Sequence, residues 1–205
     1  MNFHLWTAAA IGALALAGPS LAQEPNEVIE EAMELTEKAL DGREDELAND
    51  PAALHAVVDE ILLPRFYRRG AARYVLAKHV RTASPEQLDA FIEAFYGSLV
   101  RRYADGVLGF DSNKIEVLPF SGDTTKRSVR VKTKVTLDDG KVVPVDYRLV
   151  RVDDRWQIMD VVIEGISYLS TFRSELESEL RQKSLDEVIE RLESEASEKS
   201  TEETV

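Results

Sequence analysis

The sequence contains no cysteine among its 205 residues. This absence excludes disulfide bonds, thiolate metal sites, cysteine nucleophiles and lipid attachment through a cysteine. Beyond the N-terminus, no apolar run reaches the roughly 18–20 residues needed to span a bilayer. Positive charge is also scarce, because 25 Lys and Arg stand against 38 Asp and Glu for a formal net charge of −13. Since nucleic acids are bound by basic surfaces, this balance argues against nucleic acid as the main partner.

The N-terminus carries the pattern of an export signal. Residues 3–17 form an apolar run, followed by a Gly-Pro pair and a small-residue segment that ends at Ala22. A short apolar run, a helix break and a small-x-small site are typical of a secretory signal peptide. The alternative, a buried N-terminal helix, is disfavoured by Pro19. We therefore expect a signal peptide over residues 1–22, and an exported protein without a lipid anchor because Gln23 stands where a lipoprotein has cysteine.

Charge is distributed unevenly along the rest of the chain. Residues 24–60 hold 13 acids and two bases, and residues 183–205 hold eight acids and three bases. The acidic ends therefore flank a mildly basic middle. We expect one domain over residues 23–193. The last dozen residues, 194–205, have nothing apolar to pack and are predicted to form a disordered acidic tail.

The spacing of apolar residues in the first half predicts helices. The helical pattern occurs at 26–40, at 51–63 until Pro64 stops it, at 71–80 and at 85–104, and again after Tyr168 and after Ser184. The helix at 85–104 has the clearest signal, because Ser84 and Gln87 form a capping box with Pro85 at the first helical position. Its apolar stripe is unusually rich in aromatic residues.

From residue 115 onward the apolar period changes to two, which predicts strands. Four strands are expected, at 115–117, 129–135, 143–149 and 156–163. Asp138-Asp139-Gly140 and Asp153-Asp154 occupy the positions of hairpin turns. The second and third strands alternate apolar with charged residues, so one face of the sheet is expected to be exposed to solvent. The fourth is apolar on both faces and is expected to be central. Helices, then an antiparallel meander, then closing helices indicate an α+β fold.

The sequence contains no nucleotide-binding loop, zinc-protease, serine-hydrolase or calcium-loop motif. His55 and His79 are not spaced from each other as metal ligands are, so no metal site is predicted. Both are interpreted as helix-surface residues, so no catalytic residue is predicted. Asp160 lies within the apolar fourth strand. We interpret it as a buried carboxylate satisfied by backbone amides or an arginine rather than as a general base. Nothing in the sequence requires an enzyme.

Two long segments carry a family resemblance: VLAKHVRTASPEQLDAFIEAFYGSLVRRYA at 75–104 and VPVDYRLVRVDDRWQIMDVVIEGISYLSTFRSEL at 143–176. Together with a looser match at 52–66, they resemble the MlaC, or toluene-tolerance, family of periplasmic proteins. The resemblance covers about 28–193, essentially the whole expected domain. Several spaced motifs in one order make it a specific match.

Some positions depart from the family pattern or leave alternatives open. Ala77 and Val80 stand where the family usually has Gly and Trp. Paired arginines on the helices are candidates for contact with phosphate or acidic partner surfaces, or are ordinary solvated residues: Arg68, Arg69, Arg101 and Arg102.

The resemblance implies a soluble periplasmic shuttle that carries phospholipids between the inner and outer membranes. It would be the binding component of an Mla-type ABC transport system that maintains outer-membrane lipid asymmetry, without enzymatic activity. The implied fold packs helices on one face of a twisted antiparallel sheet, an open cone similar in outline to NTF2-like proteins, with an apolar cavity between. The implied ligand is a diacyl phospholipid carried as cargo, and no cofactor is implied. The implied protein partners are an MCE-type subunit of an inner-membrane ABC transporter and an outer-membrane lipoprotein–porin complex. Membrane contact would be transient, and a monomer is expected.

On this interpretation ten residues are expected to line the lipid cavity: Phe91, Phe95 and Leu99 from the long helix, Val131, Val135, Val145, Tyr147 and Ile158 from the sheet, and Tyr74 and Val75 near an entrance. Two alternatives remain open. One is a small periplasmic enzyme in which Asp160, Tyr147 and His79 converge in a pocket. The other is an adaptor whose acidic N-terminal helix docks a basic partner.

Overall fold

The computed structural model describes residues 23–197, so the expected signal peptide at 1–22 lies outside the described residues. Eight α-helices are described: α1 (Pro25–Leu40), α2 (Glu44–Asn49), α3 (Pro51–Val57), α4 (Arg68–Leu76), α5 (Pro85–Tyr103), α6 (Asp105–Leu108), α7 (Tyr168–Glu179) and α8 (Leu185–Ser197). Five strands are described: β1 (Ile115–Val117), β2 (Ser128–Thr136), β3 (Val142–Val152), β4 (Arg155–Ile163) and β5 (Ile166–Ser167). The α+β class is confirmed. Within residues 23–197, no helix is both long and apolar enough to cross a membrane.

Several helices begin at the capping side chains that the sequence predicts. Ser84 Oγ accepts the backbone N–H of Gln87 at 3.1 Å, while Gln87 Oε1 accepts that of Ser84 at 3.0 Å. Asp50 accepts two backbone N–H groups from the first turn of α3, and Ser167 Oγ accepts the N–H of Ser170 in α7. These bonds satisfy donors that a helix leaves unpaired at its start.

The prediction of a regular α-helix over 51–63 is wrong in its second half. Only Pro51–Val57 is α-helical; Val58–Leu62 forms a π-helical turn and Leu63–Arg65 a 3₁₀ turn. Pro64 supplies the physical reason, because its ring clashes with the carbonyl four residues earlier in a regular α-helix. A wider turn relieves that clash.

The predicted helix at 71–80 is also two segments. α4 ends at Leu76, and a 3₁₀ turn covers Ala77–Arg81. Ala77, the first residue of this 3₁₀ turn, has φ +51° and ψ −118°. This conformation is accessible to glycine and strained for a residue with a Cβ. The geometry accounts for the glycine that the family usually has at this position.

Replacing Ala77 by glycine is therefore expected to stabilise the fold. A residue held at positive φ costs on the order of 1 kcal/mol or more, and glycine removes most of that cost. We expect Ala77→Gly to raise the free energy of unfolding by about 1 kcal/mol in urea denaturation. The matched control, Ala90→Gly inside α5, should lower it by about the same amount. Equal losses from the two substitutions would show that residue 77 is not strained.

The five strands form one antiparallel sheet in the order β1-β2-β3-β4-β5. The predicted turn residues adopt the left-handed backbone that hairpin turns require: Gly140 has φ +82°, Asp153 +47° and Asp154 +59°. The expectation of about four strands misses β5, whose two residues are too few to show an alternating pattern.

The expectation that the fourth strand is central is wrong, because β3 occupies the middle of the sheet. β4 has β3 on one edge and only the short β5 on the other, with a single parallel bridge from Phe66 to Ile158. Helices α1, α4 and α7 all contact β4, which explains why apolar residues occupy both of its faces.

The molecule has an apolar sheet face and a charged one, as the alternation predicts. On the apolar face, Val28 and Ile29 of α1 pack against the residues of the sheet core: Val129, Val131, Leu149, Trp156 and Ile158. The intervening residues of β2, including Arg130 and Lys132, are exposed on the other face. A second core joins α4, α5, α7 and α8, with the parallel rings of Phe91 and Phe95 stacked 5.5 Å apart.

The start of the predicted disordered tail is helical in the structure. α8 continues to Ser197, four residues into the stretch predicted as disordered, and residues 198–205 lie outside the described range. Ion pairs hold this last turn: Arg191 contacts both Glu179 of α7 and Glu195, and Arg102 lies 3.6 Å from Glu195. Periodicity of apolar residues does not reveal such contacts between charged side chains.

The link between α7 and α8 is expected to weaken in acid. Burial alone raises the pKa of Glu179, but hydrogen bonds from Arg191 and Lys183 outweigh it and hold that pKa below its usual value. Because the pKa is lower in the folded state, the carboxylate stabilises the fold above pH of about 4.3, and this contribution is lost as the pH falls through the folded pKa.

Glu179→Gln should therefore lower the free energy of unfolding by about 1 kcal/mol at pH 7 and by much less at about pH 3. Urea denaturation at the two pH values measures the difference. Glu193→Gln, on an exposed position of α8, is the control and should change little at either pH. An equal deficit for Glu179→Gln at both pH values would rule out the carboxylate as its source.

Candidate functional site

A cavity of about 270 Å³ lies between α5, α7, β4 and the π-helical turn after α3. Fifteen of its sixteen lining residues are apolar or aromatic, and Asp160 is the exception. These walls come from parts of the chain that are far apart in sequence. A surface with so few polar groups is suited to a ligand that is itself apolar.

Local helix geometry explains two of the walls. Tyr96, Leu99 and Tyr103 of α5 line the cavity at spacings of three and four, which places them on one side of an α-helix. Val58 and Leu62 line it from the opposite segment, at the two ends of the π-helical turn. The turn that Pro64 imposes therefore also shapes the cavity.

A β-bulge shapes the third wall. Leu149 pairs with Ile158, but the preceding residue Arg148 pairs with Asp160, so Met159 is an extra residue. In a regular strand, consecutive side chains point to opposite faces. Here three consecutive residues, from Met159 onward, reach the cavity. The bulge thus brings more of β4 to the site than regular pairing allows.

Asp160 is buried, and its carboxylate is fully engaged. The Ser167 hydroxyl donates to Oδ2 at 2.7 Å, the Leu169 backbone N–H donates to Oδ1 at 3.1 Å, and Arg148 lies 3.7 Å from Oδ2. The interpretation of Asp160 as a satisfied buried carboxylate is confirmed. Because Ser167 caps α7, these bonds fix the start of that helix and hold its side chains against the cavity.

Aromatic side chains mark where the cavity reaches the surface. Tyr103 lines the cavity and is 46% exposed. Its ring centre lies 6.2 Å from that of Tyr168, which lies 6.3 Å from that of Phe172 deeper in the wall. These edge-on contacts form a continuous aromatic path from the surface into the interior.

Of the ten residues expected to line a lipid cavity, Leu99 lines this one. Phe91 and Phe95 are fully buried in the helical core, as is Val75. The apolar stripe of α5 is divided between two environments: its first half packs against neighbouring helices, and its second half faces the cavity. Tyr74 is half-buried, with its hydroxyl 3.2 Å from Ser170 Oγ.

The five sheet residues expected in the lining lie outside this cavity. Val131, Tyr147 and Ile158 belong to the core beneath α1. Val145 is buried and Val135 half-buried, and strand register places both on the same face as Val131. The period of two identified the apolar face correctly. It could not show that Val28 and Ile29 of α1 pack against this face.

The lining residues that were missed carried only weak signals. Tyr103 and the aromatic pair of α7, Tyr168 and Phe172, belong to apolar stripes visible in the sequence. Leu62 and Met159 reach the cavity through the π-helical turn and the bulge, neither of which has a sequence signature.

The hypothesis of an enzyme site built from Asp160, Tyr147 and His79 is wrong in its geometry. Asp160 pairs with Arg148, the chain neighbour of Tyr147, so Asp160 and Tyr147 point to opposite faces of the sheet. His79 lies in the 3₁₀ turn after α4. Within the described part of the chain, no group of three or more potential His, Asp or Glu ligands could hold a metal ion.

The candidate arginines Arg68, Arg69 and Arg102 pair with carboxylates of the helices. Arg69 lies 2.8 Å from Asp89, and Arg102 contacts Glu195. Arg68 donates to Glu93 at 2.7 Å, and its guanidinium carbon lies 5.1 Å from the centre of the Tyr96 ring. Burial raises the pKa of the Tyr96 phenol, opposed by that guanidinium, so Tyr96 brings no charge to the cavity.

Comparison with known proteins gives matches over most of the chain. The family model of the MlaC protein matches residues 30–194. The toluene tolerance protein ttg2D of Pseudomonas putida is 30% identical over 155 residues, covering 75% of this chain and 72% of that protein. The intermembrane phospholipid transport system binding protein MlaC of Haemophilus influenzae is 21% identical over 177 residues, covering 84% and 82%. The fold is similar to that of the phospholipid-binding protein from Ralstonia solanacearum in complex with a phospholipid, with a TM-score of 0.75, 19% identity, and coverage of 85% of this chain and 97% of that one.

Proposed function

Since this chain belongs to the MlaC family, we propose that it is a periplasmic binding protein that carries phospholipids between the inner and outer membranes. The apolar cavity is the observation that carries the proposal, because a binding protein of this kind must shield acyl chains from water. The names of the Haemophilus relative and of the structural neighbour, which refer to phospholipid transport and phospholipid binding, support the same cargo.

Moving a phospholipid through water without a carrier costs a large free energy, because its acyl chains would be exposed. Each buried CH₂ contributes about 0.8 kcal/mol, so two chains of about 15 methylenes represent on the order of 20–25 kcal/mol. The cavity of about 270 Å³ is smaller than the roughly 300–1,000 Å³ typical of pockets for drug-sized ligands. Binding of two acyl chains therefore requires the cavity to widen. We expect this at the aromatic path, where Tyr103 is exposed and contacts Tyr168.

The proposed lining consists of the side chains that the structure brings to the cavity: Leu62, Tyr96, Leu99, Tyr103, Met159 and Phe172. Asp160 positions α7 and has no proposed role in a chemical step. The protein acts by binding and release, and its only proposed ligand is the lipid cargo. Proposed partners are an MCE-type subunit of an inner-membrane ABC transporter and an outer-membrane lipoprotein–porin complex, met by a monomer with transient membrane contact.

A transfer assay tests this function. Donor vesicles carry a fluorescent phospholipid with a quencher, and protein free of lipid is added at increasing concentration. Saturable dequenching, with the lipid recovered on the protein after the vesicles are removed, is the expected result. If fluorescence does not change and the reisolated protein carries no lipid, the proposal is wrong.

A further inference from the structure

A second cavity adjoins the apolar one and differs from it in polarity. Its volume is about 490 Å³, and it shares Leu63, Phe66 and Tyr96 with the apolar cavity. Its other walls bring one cation and two carboxylates, those of Arg68, Asp59 and Glu93. An amphiphile with apolar tails and a charged head undergoes the same change of polarity along its length.

Arg68 lines the polar cavity beside Tyr96, which both cavities share, and it has unused hydrogen-bonding capacity. One terminal nitrogen donates to Glu93, and the guanidinium lies against the Tyr96 ring. Its Nε is buried and has no hydrogen-bond partner among the described residues. A buried donor without an acceptor is costly, so an incoming acceptor at this place is favoured. The planar guanidinium fork matches the geometry of phosphate oxygens.

The carboxylates decide which phosphate-bearing group fits. Asp59 and Glu93 outnumber Arg68, so the formal charge of the polar cavity is negative. An anionic head group that ends in hydroxyls adds charge of the same sign. A zwitterionic head group with a primary ammonium instead places a cation near the carboxylates and donates hydrogen bonds to them.

We propose that the polar cavity is a head-group subsite that selects phospholipids with an aminoethyl phosphate head. Arg68 binds the phosphate, and Asp59 and Glu93 bind the ammonium. This inference rests on the proposed phospholipid cargo. The head group stays in contact with solvent, because the Glu93 side chain is 73% exposed.

The groove on the other side of the apolar cavity offers a comparison. It shares Leu99 and Phe172 with that cavity and carries Arg102 and Arg191. Arg191 donates through all three nitrogens to the carboxylates of Glu179 and Glu195. Arg191 is therefore occupied in holding α7 and α8 together. Arg102 lies 3.6 Å from Glu195 and lines this groove rather than the polar cavity, which makes it the control for Arg68.

The test is a competition between two lipids. Purified protein is incubated with vesicles of equimolar dioleoyl phosphatidylethanolamine and dioleoyl phosphatidylglycerol and reisolated, and the bound lipid is extracted and quantified by mass spectrometry. We expect about tenfold enrichment of phosphatidylethanolamine, the effect of one or two charge-assisted hydrogen bonds. Arg68→Gln should bind less of both lipids, because both heads carry the phosphate, and should keep the enrichment. Arg102→Gln should change neither the amount of bound lipid nor the ratio. Glu93→Gln should shift the ratio toward phosphatidylglycerol, because it removes a carboxylate and releases Arg68.

Each outcome is decisive. Bound lipid in the vesicle ratio on the wild type, or an amount of bound lipid that Arg68→Gln leaves unchanged, overturns the head-group subsite and leaves the proposed cargo intact. A wild type that acquires neither lipid overturns the proposed function as well. If Arg68→Gln does not fold, Glu93→Gln decides, since it alters an exposed side chain, and an unchanged lipid ratio in that variant overturns the subsite.

Discussion

Replacing Asp160 with alanine is expected to lower the free energy of unfolding by about 3 kcal/mol, or the melting temperature by about 10 °C. The substitution removes the acceptor for the Ser167 hydroxyl and the Leu169 N–H, and the nearest carboxylate to Arg148. The Ser167 hydroxyl and the Leu169 N–H then lack an acceptor at the start of α7, where water does not replace the lost hydrogen bonds. Thermal unfolding followed by circular dichroism measures the loss.

Two further variants separate the loss of the buried hydrogen bonds from the loss of a carboxylate in general. Asp160→Asn keeps the shape and one acceptor oxygen, so it should cost less than the alanine variant. Asp146→Ala removes a carboxylate of the same sheet whose partner Arg130 is exposed, and it should cost less than about 1 kcal/mol. If Asp160→Ala has the same melting temperature as the wild type, the Asp160 carboxylate does not stabilise the start of α7.

Introducing a charge into the apolar cavity is expected to abolish lipid binding in a folded protein. Leu99 is half-buried in the cavity wall, so Leu99→Glu places a carboxylate where acyl chains are proposed to lie. Covering an unpaired carboxylate with hydrocarbon costs about 3 kcal/mol or more, which corresponds to a loss of affinity on the order of 100-fold. Without lipid the carboxylate remains hydrated through the open mouth of the cavity.

The affinity is measured by titrating protein into vesicles with a fluorescent phospholipid. Leu137→Glu is the control, because Leu137 is 43% exposed at the turn between β2 and β3 and the chemical change is identical. It should bind lipid as the wild type does. A folded Leu99→Glu variant with wild-type affinity would mean that lipid occupies another part of the protein.

Features decided by neighbouring residues in the chain could be predicted from the sequence. The capping box at Ser84 and the cap at Asp50 involve bonds that span two or three residues, so their signals are local. The alternation of β2 and β3 identifies the face that packs against α1. Asp160 was identified as a satisfied carboxylate because a charge inside an apolar strand must find partners.

Features decided by tertiary packing could not be predicted in the same way. The stripe of α5 is apolar on both sides of Phe95, and only the placement of α7 and α8 makes one half core and the other half cavity wall. The bulge at Met159 and the π-helical turn Val58–Leu62 alter which side chains reach the cavity without altering the apolar pattern. For this reason nine of the ten residues expected to line a lipid cavity do not line this one.

Native mass spectrometry of the protein freshly purified from the periplasm of an expression host tests the central claim most directly. The account predicts a mass increment equal to one or more phospholipids, which disappears after extraction with organic solvent and is absent from the Leu99→Glu variant. A bare protein mass that persists after incubation with phospholipid vesicles would contradict it, because the apolar cavity would then have no acyl chains to hold.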